Sequence, residues 1–221
     1  MAVRAKAATA STKHAHGDKR GRILQAAMET FREHGFAGAT TLDIATRARV
    51  SKRELYALVG NKQNMLIACI TARAKRLQAP ADMSVARDRQ TLAAALATFG
   101  TQLLREVSEP TVIAIFRLAI AEAIRAPEVA RALDSIGRET SRAALRQIMA
   151  RAQTSRLLDG PPAQLAEQFG GLLWCDLMVS LLLGVAERPS PRELRERAHN
   201  AAAAFLELHP LPEDHAVRRR G

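Results

Sequence analysis

The chain has 221 residues, with 33 Lys and Arg against 22 Asp and Glu, a formal charge of +11, 48% apolar residues and 4% aromatic ones. That apolar share excludes wholesale disorder. The scarcity of aromatic and β-branched residues beside abundant Ala, Leu, Arg and Glu excludes a sandwich or barrel and leaves an all-α protein.

In chain order, residues 1–17 lack the apolar run of a signal peptide and read as a flexible basic arm, in which Arg4, Lys6 and Lys13 are candidates to follow a minor groove. From Asp18 to His34, Ile23, Ala26, Ala27 and Phe31 recur at helical spacing, with Thr30 on the same stripe and Gly35 as the stop. Thr40 or Thr41 caps a short second helix whose inner face is Ile44, Ala45 and Ala48. After the turn at Arg49-Val50, Ser51-Lys52-Arg53-Glu54 has the form of a capping box. The third helix puts Leu55, Leu58 and Val59 inward and Lys52, Arg53, Tyr56 and Ala57 outward, and Gly60-Asn61 ends it. Lys62 opens a fourth helix, to about residue 79, with Met65, Leu66, Cys69, Ile70 and Leu77 on one stripe. Residues 79–84, with Pro80, read as a linker.

Beyond the linker, helices are expected over about 85–107, from Pro110, from Pro127 to about 155 with a bend near Gly137, over 162–186, and from a second capping box, Ser190-Pro191-Arg192-Glu193, to about Leu208. The total is about nine helices. The resulting division is an arm (1–17), a helix-turn-helix domain (18–62, with helix four as connector), a second helical domain (80–210) and a basic tail (211–221).

Charge follows this division. Residues 1–62 hold 12 Lys and Arg against 5 Asp and Glu, a net +7; residues 63–221 hold 21 against 17, a net +4, of which Arg218, Arg219 and Arg220 supply three. An excess gathered at one end favours an anion-binding module there, with nucleic acid as its first candidate partner. Two short helices joined by a tight turn and packed on a preceding helix fit a major groove, with the start of the later helix nearest the base edges.

The run Gly35-Phe36, Thr40-Thr41-Leu42-Asp43-Ile44-Ala45, Val50-Ser51, Leu55-Tyr56, Lys62 and Met65 resembles the TetR family of bacterial transcriptional regulators. That family's pattern runs G-[FY], T-x-x-x-I-A, a Gly-Val turn, L-Y and K-x-x-L. Here the turn glycine is replaced by Arg49, which makes a left-handed conformation costly. Val59 stands for the usual aromatic, Ala57 for a larger residue, and Met65 for leucine. The resemblance implies a homodimeric repressor of a double-stranded DNA operator. Thr40 or Thr41 would hold a phosphate at a helix start, Lys52 and Arg53, beside the cap Ser51, would reach bases, Tyr56 and Lys62 would touch phosphates, and Ala57 would lie on the same face. It also implies a small-molecule effector in the second domain. Candidate linings are Phe99, Leu103, Phe116, Ile120, Met149, Trp174 and Met178, which suit a lipophilic ligand.

The 162–186 stretch is apolar nearly all round and needs cover on every side. Phe169, Leu173, Leu177 and Leu181 of this stretch, with Leu194, Ala201 and Phe205 of the last helix, are therefore the expected dimer interface. With 17 residues from Phe169 to Val185, its longest apolar stretch is short for a membrane span, so no membrane partner is expected. Only two cysteines occur, Cys69 and Cys175, so no disulfide framework is expected and a reducing cytoplasm is the expected compartment. The six histidines sit mostly in tails or near helix ends, away from metal-ligand spacing, and no Gly-rich phosphate loop or nucleophile elbow is present; neither an enzyme nor a metal or cofactor is expected. The competing expectation is an architectural or activating DNA-binding protein that takes no small molecule.

Overall fold

The computed structural model describes the backbone of residues 2–74, 86–125 and 127–211, and side chains within those ranges from Asp18 onward. Among the described residues every regular element is helical: α1 (Ala2–Gly38), α2 (Thr41–Ala48), α3 (Lys52–Val59), α4 (Lys62–Ala74), α5 (Arg89–Val107), α6 (Pro110–Ala121), α7 (Pro127–Ala132), α8 (Glu139–Thr154), α9 (Pro162–Trp174), α10 (Leu177–Leu183) and α11 (Pro191–Leu208). The chain divides into two units, one of residues up to 72 with 114–134, the other of 73–113 with residues from 135 on. The division thus falls inside α4, and a stretch that the sequence assigned to the second domain groups with the first. The linker at 79–84 and nearly all of the tail lie outside the described residues.

In the first unit, Ile23, Ala26, Ala27 and Phe31 of α1, Ile44, Ala45 and Ala48 of α2, Leu55 of α3, and Met65, Leu66, Cys69 and Ile70 of α4 are buried as their spacing requires. The buried Thr30 hydroxyl donates to the Ala26 carbonyl at 2.8 Å, so its burial leaves no polar group unpaired. Gly35, at φ 67° and ψ 177°, interrupts α1 where a stop was expected, and Phe36 turns back to lie 5.5 Å from Phe31, ring to ring. Residues 2–17 have helical backbone continuous with α1, in keeping with their alanine content.

In the second unit, α5, α9 and α11 pack together, and α8 packs on α9. Phe169 and Phe205 meet edge to face at 5.7 Å. Gly100 makes the approach possible: a Cβ there would lie 3.0 Å from Leu173 Cδ1 and 3.3 Å from Ala198 Cβ. The seven side chains expected at a dimer interface, Phe169, Leu173, Leu177, Leu181, Leu194, Ala201 and Phe205, are all buried within the single chain. They belong to its core. An apolar stripe shows that a face is covered, not by which chain.

Two long helices are interrupted. The bend expected near Gly137 is a π-helical turn, Leu133–Arg138. The stretch 162–186 breaks into α9 and α10, bent by 54°. The break is at Cys175, at φ 44° and ψ −121°. Beside the break, the Arg197 guanidinium of α11 donates to the carbonyls of Leu173 (3.4 Å) and Trp174 (3.3 Å) and lies 3.9 Å from Asp176, so the carbonyls at the end of α9 keep partners. Among the described residues, no single helix is long and apolar enough to cross a membrane.

Candidate nucleic-acid interface

Both short helices of the helix-turn-helix are too short to be stable alone, and local caps hold them. Thr40 is the cap of α2: its hydroxyl oxygen accepts from the Asp43 N–H at 3.1 Å and its proton goes to the Asp43 carboxylate at 2.6 Å. Ser51 and Glu54 form the expected reciprocal capping box on α3, each accepting the other's backbone N–H, at 3.1 and 3.0 Å. Lys19 of α1 adds an ion pair to Glu54 at 2.8 Å. The Lys19 ammonium, then the Ser51 N–H and hydroxyl, hold the Glu54 carboxyl down to about 2 from its ordinary 4.5. Arg47 clips α2 to α1 by a two-pronged bond to Glu33, at 3.0 and 2.5 Å, and that bond lowers the Glu33 carboxyl. The long-range clips through Lys19 and Arg47 cannot be read from the sequence, because their partners lie 35 and 14 residues away.

The turn between α2 and α3 has the costly form anticipated for a non-glycine. Arg49 has φ 54° and ψ 49°, and its N–H and that of Val50 close the end of α2 on Thr46 and Ala45. A side chain in this region costs roughly 1–2 kcal/mol. At the end of α3, Gly60 at φ 86° is needed twice over, for its conformation and because a Cβ would lie 2.7 Å from Asn64 Nδ2.

Lys52, Arg53, Tyr56 and Ala57 are all exposed on α3, while Leu55 is fully buried and Leu58 and Val59 are half-buried. The Tyr56 hydroxyl lies 3.3 Å from that of Thr41, which begins α2, so α2 and α3 present two hydroxyls side by side. The hydroxyl of Thr40, by contrast, is committed to Asp43. Lys62 departs from expectation. Its ammonium donates to the carbonyls of Phe36 (2.5 Å), Ala39 (3.1 Å) and Ala37 (3.5 Å) and sits 4.5 Å from the Phe36 ring centre. The ammonium is thus held by carbonyls at and just past the end of α1.

Of the other expected residues, Phe99, Leu103 and Met149 are buried in the second unit, where Trp174 and Met178 are half-buried. Phe116 and Ile120 belong to the first unit, and Ile120, 62% exposed, lines no apolar interior. Among the described residues no group of three His, Cys, Asp or Glu is placed to hold a metal.

Comparison with known proteins agrees with this geometry. The profile described as bacterial regulatory proteins, tetR family, matches residues 23–69, and that of the AefR-like transcriptional repressor C-terminal domain matches residues 94–209. No curated protein matches the chain. Among solved structures, a TetR regulator from Agrobacterium tumefaciens has 28% identity and a TM-score of 0.74 over 89% of this chain and 97% of its own. The flavonoid-responsive regulator FrrA has 28% identity and a TM-score of 0.69 over 89% and 98%. A TetR-family regulator from Mesorhizobium loti, at 24% identity, has the same fold with a TM-score of 0.74 over 89% and 98%. With an exposed basic helix start, its capping box and two family profiles in register, the chain belongs to the TetR family of DNA-binding transcriptional regulators.

Proposed function

We propose that the protein is a homodimeric repressor that leaves its operator when a small lipophilic molecule binds the second unit. The observation that carries the reading is the outward face of α3: Lys52 and Arg53 exposed at its start, with the Thr41 and Tyr56 hydroxyls beside them. Lys52 and Arg53 read base edges; Thr41 and Tyr56 hold a phosphate at the start of α2. A twofold dimer would read two half-sites spaced by turns of the duplex. Selection of bound duplexes from a random pool tests this. An inverted repeat is the expected result, and an unpaired site or no enrichment overturns the reading.

The partner is proposed to cover the outward sides of α9–α11 rather than their core. Val179 and Leu183 are 58% and 71% exposed, and a Cβ on Gly170 or Gly171 would meet nothing within 4 Å inside the chain. Exposed apolar side chains on α10 and open glycines on α9 suit a second helix pair. Leu183→Glu should give folded monomers in sedimentation, with unchanged helical content; a dimer that survives the change excludes this face.

Repression needs only occupancy of the operator. The effector class rests on the apolar character of Phe99, Leu103, Met149, Trp174 and Met178 and on the flavonoid response of the similar regulator FrrA. Such a molecule releases DNA only if it prefers the conformation that does not bind DNA. A panel of flat aromatic compounds, scored by thermal shift and then by operator release, tests it. Binding without release would favour a regulator that is not induced in this way.

A further inference from the structure

We propose that Arg49, in the turn between α2 and α3, is a DNA phosphate contact, and that the strained backbone of the turn is retained for it. The proposal rests on α3 being the DNA-reading helix. Between residues 41 and 62 the cations divide cleanly. Arg47 is held by Glu33 and Glu29, and Lys62 by three carbonyls. Arg49, Lys52 and Arg53 are exposed and have no side-chain hydrogen bond or ion pair among the described residues. The acidic group nearest in sequence, Glu54, is already engaged by Lys19 and by both the N–H and the hydroxyl of Ser51. Three cations within five residues, at the positive end of a helix and without an ion pair among the described residues, are matched to an anion from outside the chain.

Arg49 is set apart from the other two by its backbone. At φ 54° and ψ 49° it occupies a conformation that glycine takes freely and a residue with a Cβ does not. Nothing among the described residues that its guanidinium touches offsets that strain. Strain of this kind persists where function selects the side chain. Arg49 lies outside α3, before the cap Ser51, so it flanks the base-reading positions instead of joining them. A planar fork at that place suits two oxygens of one backbone phosphate.

The experiment measures binding of a mixed-sequence duplex over a salt series, together with thermal stability, for the full-length protein. Arg49→Gly should raise Tm by about 2–4 °C, weaken binding to every sequence alike, and reduce the slope of log affinity against log salt by about one per subunit. Arg49→Asn, which also tolerates the left-handed region, should lose the same slope, and Arg49→Lys should keep it. An unchanged slope in Arg49→Gly, or a loss confined to one base position in the selected sites, overturns the phosphate contact. A lowered Tm overturns the strain argument. Arg53→Ala is the control for the underlying reading: if it too leaves binding intact, the α3 face itself is misassigned, whereas weakened binding there with intact binding in the Arg49 variants rejects this inference alone.

Discussion

The two capping boxes make the most direct comparison between the units. Ser51 with Glu54 starts α3, eight residues long; Ser190 with Glu193 starts α11, eighteen residues long. In both, the serine hydroxyl accepts the N–H three residues on, and the serine lowers the glutamate carboxyl. Their surroundings differ. The α11 box stands at the head of a helix that buries Leu194, Ala198, Ala201, Ala202, Phe205 and Leu206. α3 fully buries only Leu55 and depends on polar clips: its box, Lys19 and the Gly60 stop. One region is held by apolar area and the other by a few directed bonds. The directed bonds also fix where the cationic side chains stand.

The largest effect that sharpens this contrast belongs to the apolar region. Phe169→Ala should cost about 3–5 kcal/mol in urea unfolding, because Phe169 is fully buried against Phe205. A loss of dimerisation at unchanged monomer stability would instead return Phe169 to an interface. Next is Lys62→Met, which strips a donor from three carbonyls at the end of α1 and should cost about 1–2 kcal/mol. Operator binding should weaken by loosening the joint before Thr40, with the salt slope unchanged. A slope reduced by about one per subunit would restore Lys62 as a phosphate contact.

Ser51→Ala and Ser190→Ala should each cost about 1 kcal/mol. Only the first should also weaken DNA binding, since only α3 carries base-reading residues; equal effects on binding would dissolve the contrast between the two starts. The smallest effect is a titration. The Glu54 carboxyl is depressed in the folded protein, to about 2 from 4.5, so its contribution is complete above the ordinary value and fades as pH falls from there toward 2. Carbon-detected titration of Glu54 should show that midpoint, and Lys19→Met should move it upward. An unmoved midpoint would mean that the Lys19 pair is not formed in solution.

The helix-turn-helix was legible in the sequence because its determinants are local. A cap, a box, a glycine stop and the stripe Ile44, Ala45, Ala48 and Leu55 all fall within a few residues of what they act on. What sequence could not assign were side chains whose partners lie far along the chain. Lys62 at a helix start is as good a phosphate ligand as a clamp until Phe36 and Ala39 are placed beside it. Phe169 and Phe205 are buried within the chain, and pattern does not distinguish cover from one's own chain and cover from a copy. The break in 162–186 was missed for the same reason, since the side chain that supports it, Arg197, lies beyond the stretch itself.

That break has a consequence for biosynthesis. As one straight helix, the 22 residues from Pro162 to Leu183 would extend about 33 Å, close to the hydrocarbon thickness of a bilayer. The two helices together are as long and apolar as a span, but they are bent by 54°. The guanidinium that satisfies the bend is made fourteen residues after Leu183, so a nascent chain carries this apolar stretch before it carries the clamp. On this ordering, the stretch is expected to stay unfastened during synthesis until α11 emerges. A chain terminated before Arg197 would be fixed at that stage, and should be recovered in membrane pellets or with chaperones rather than in solution.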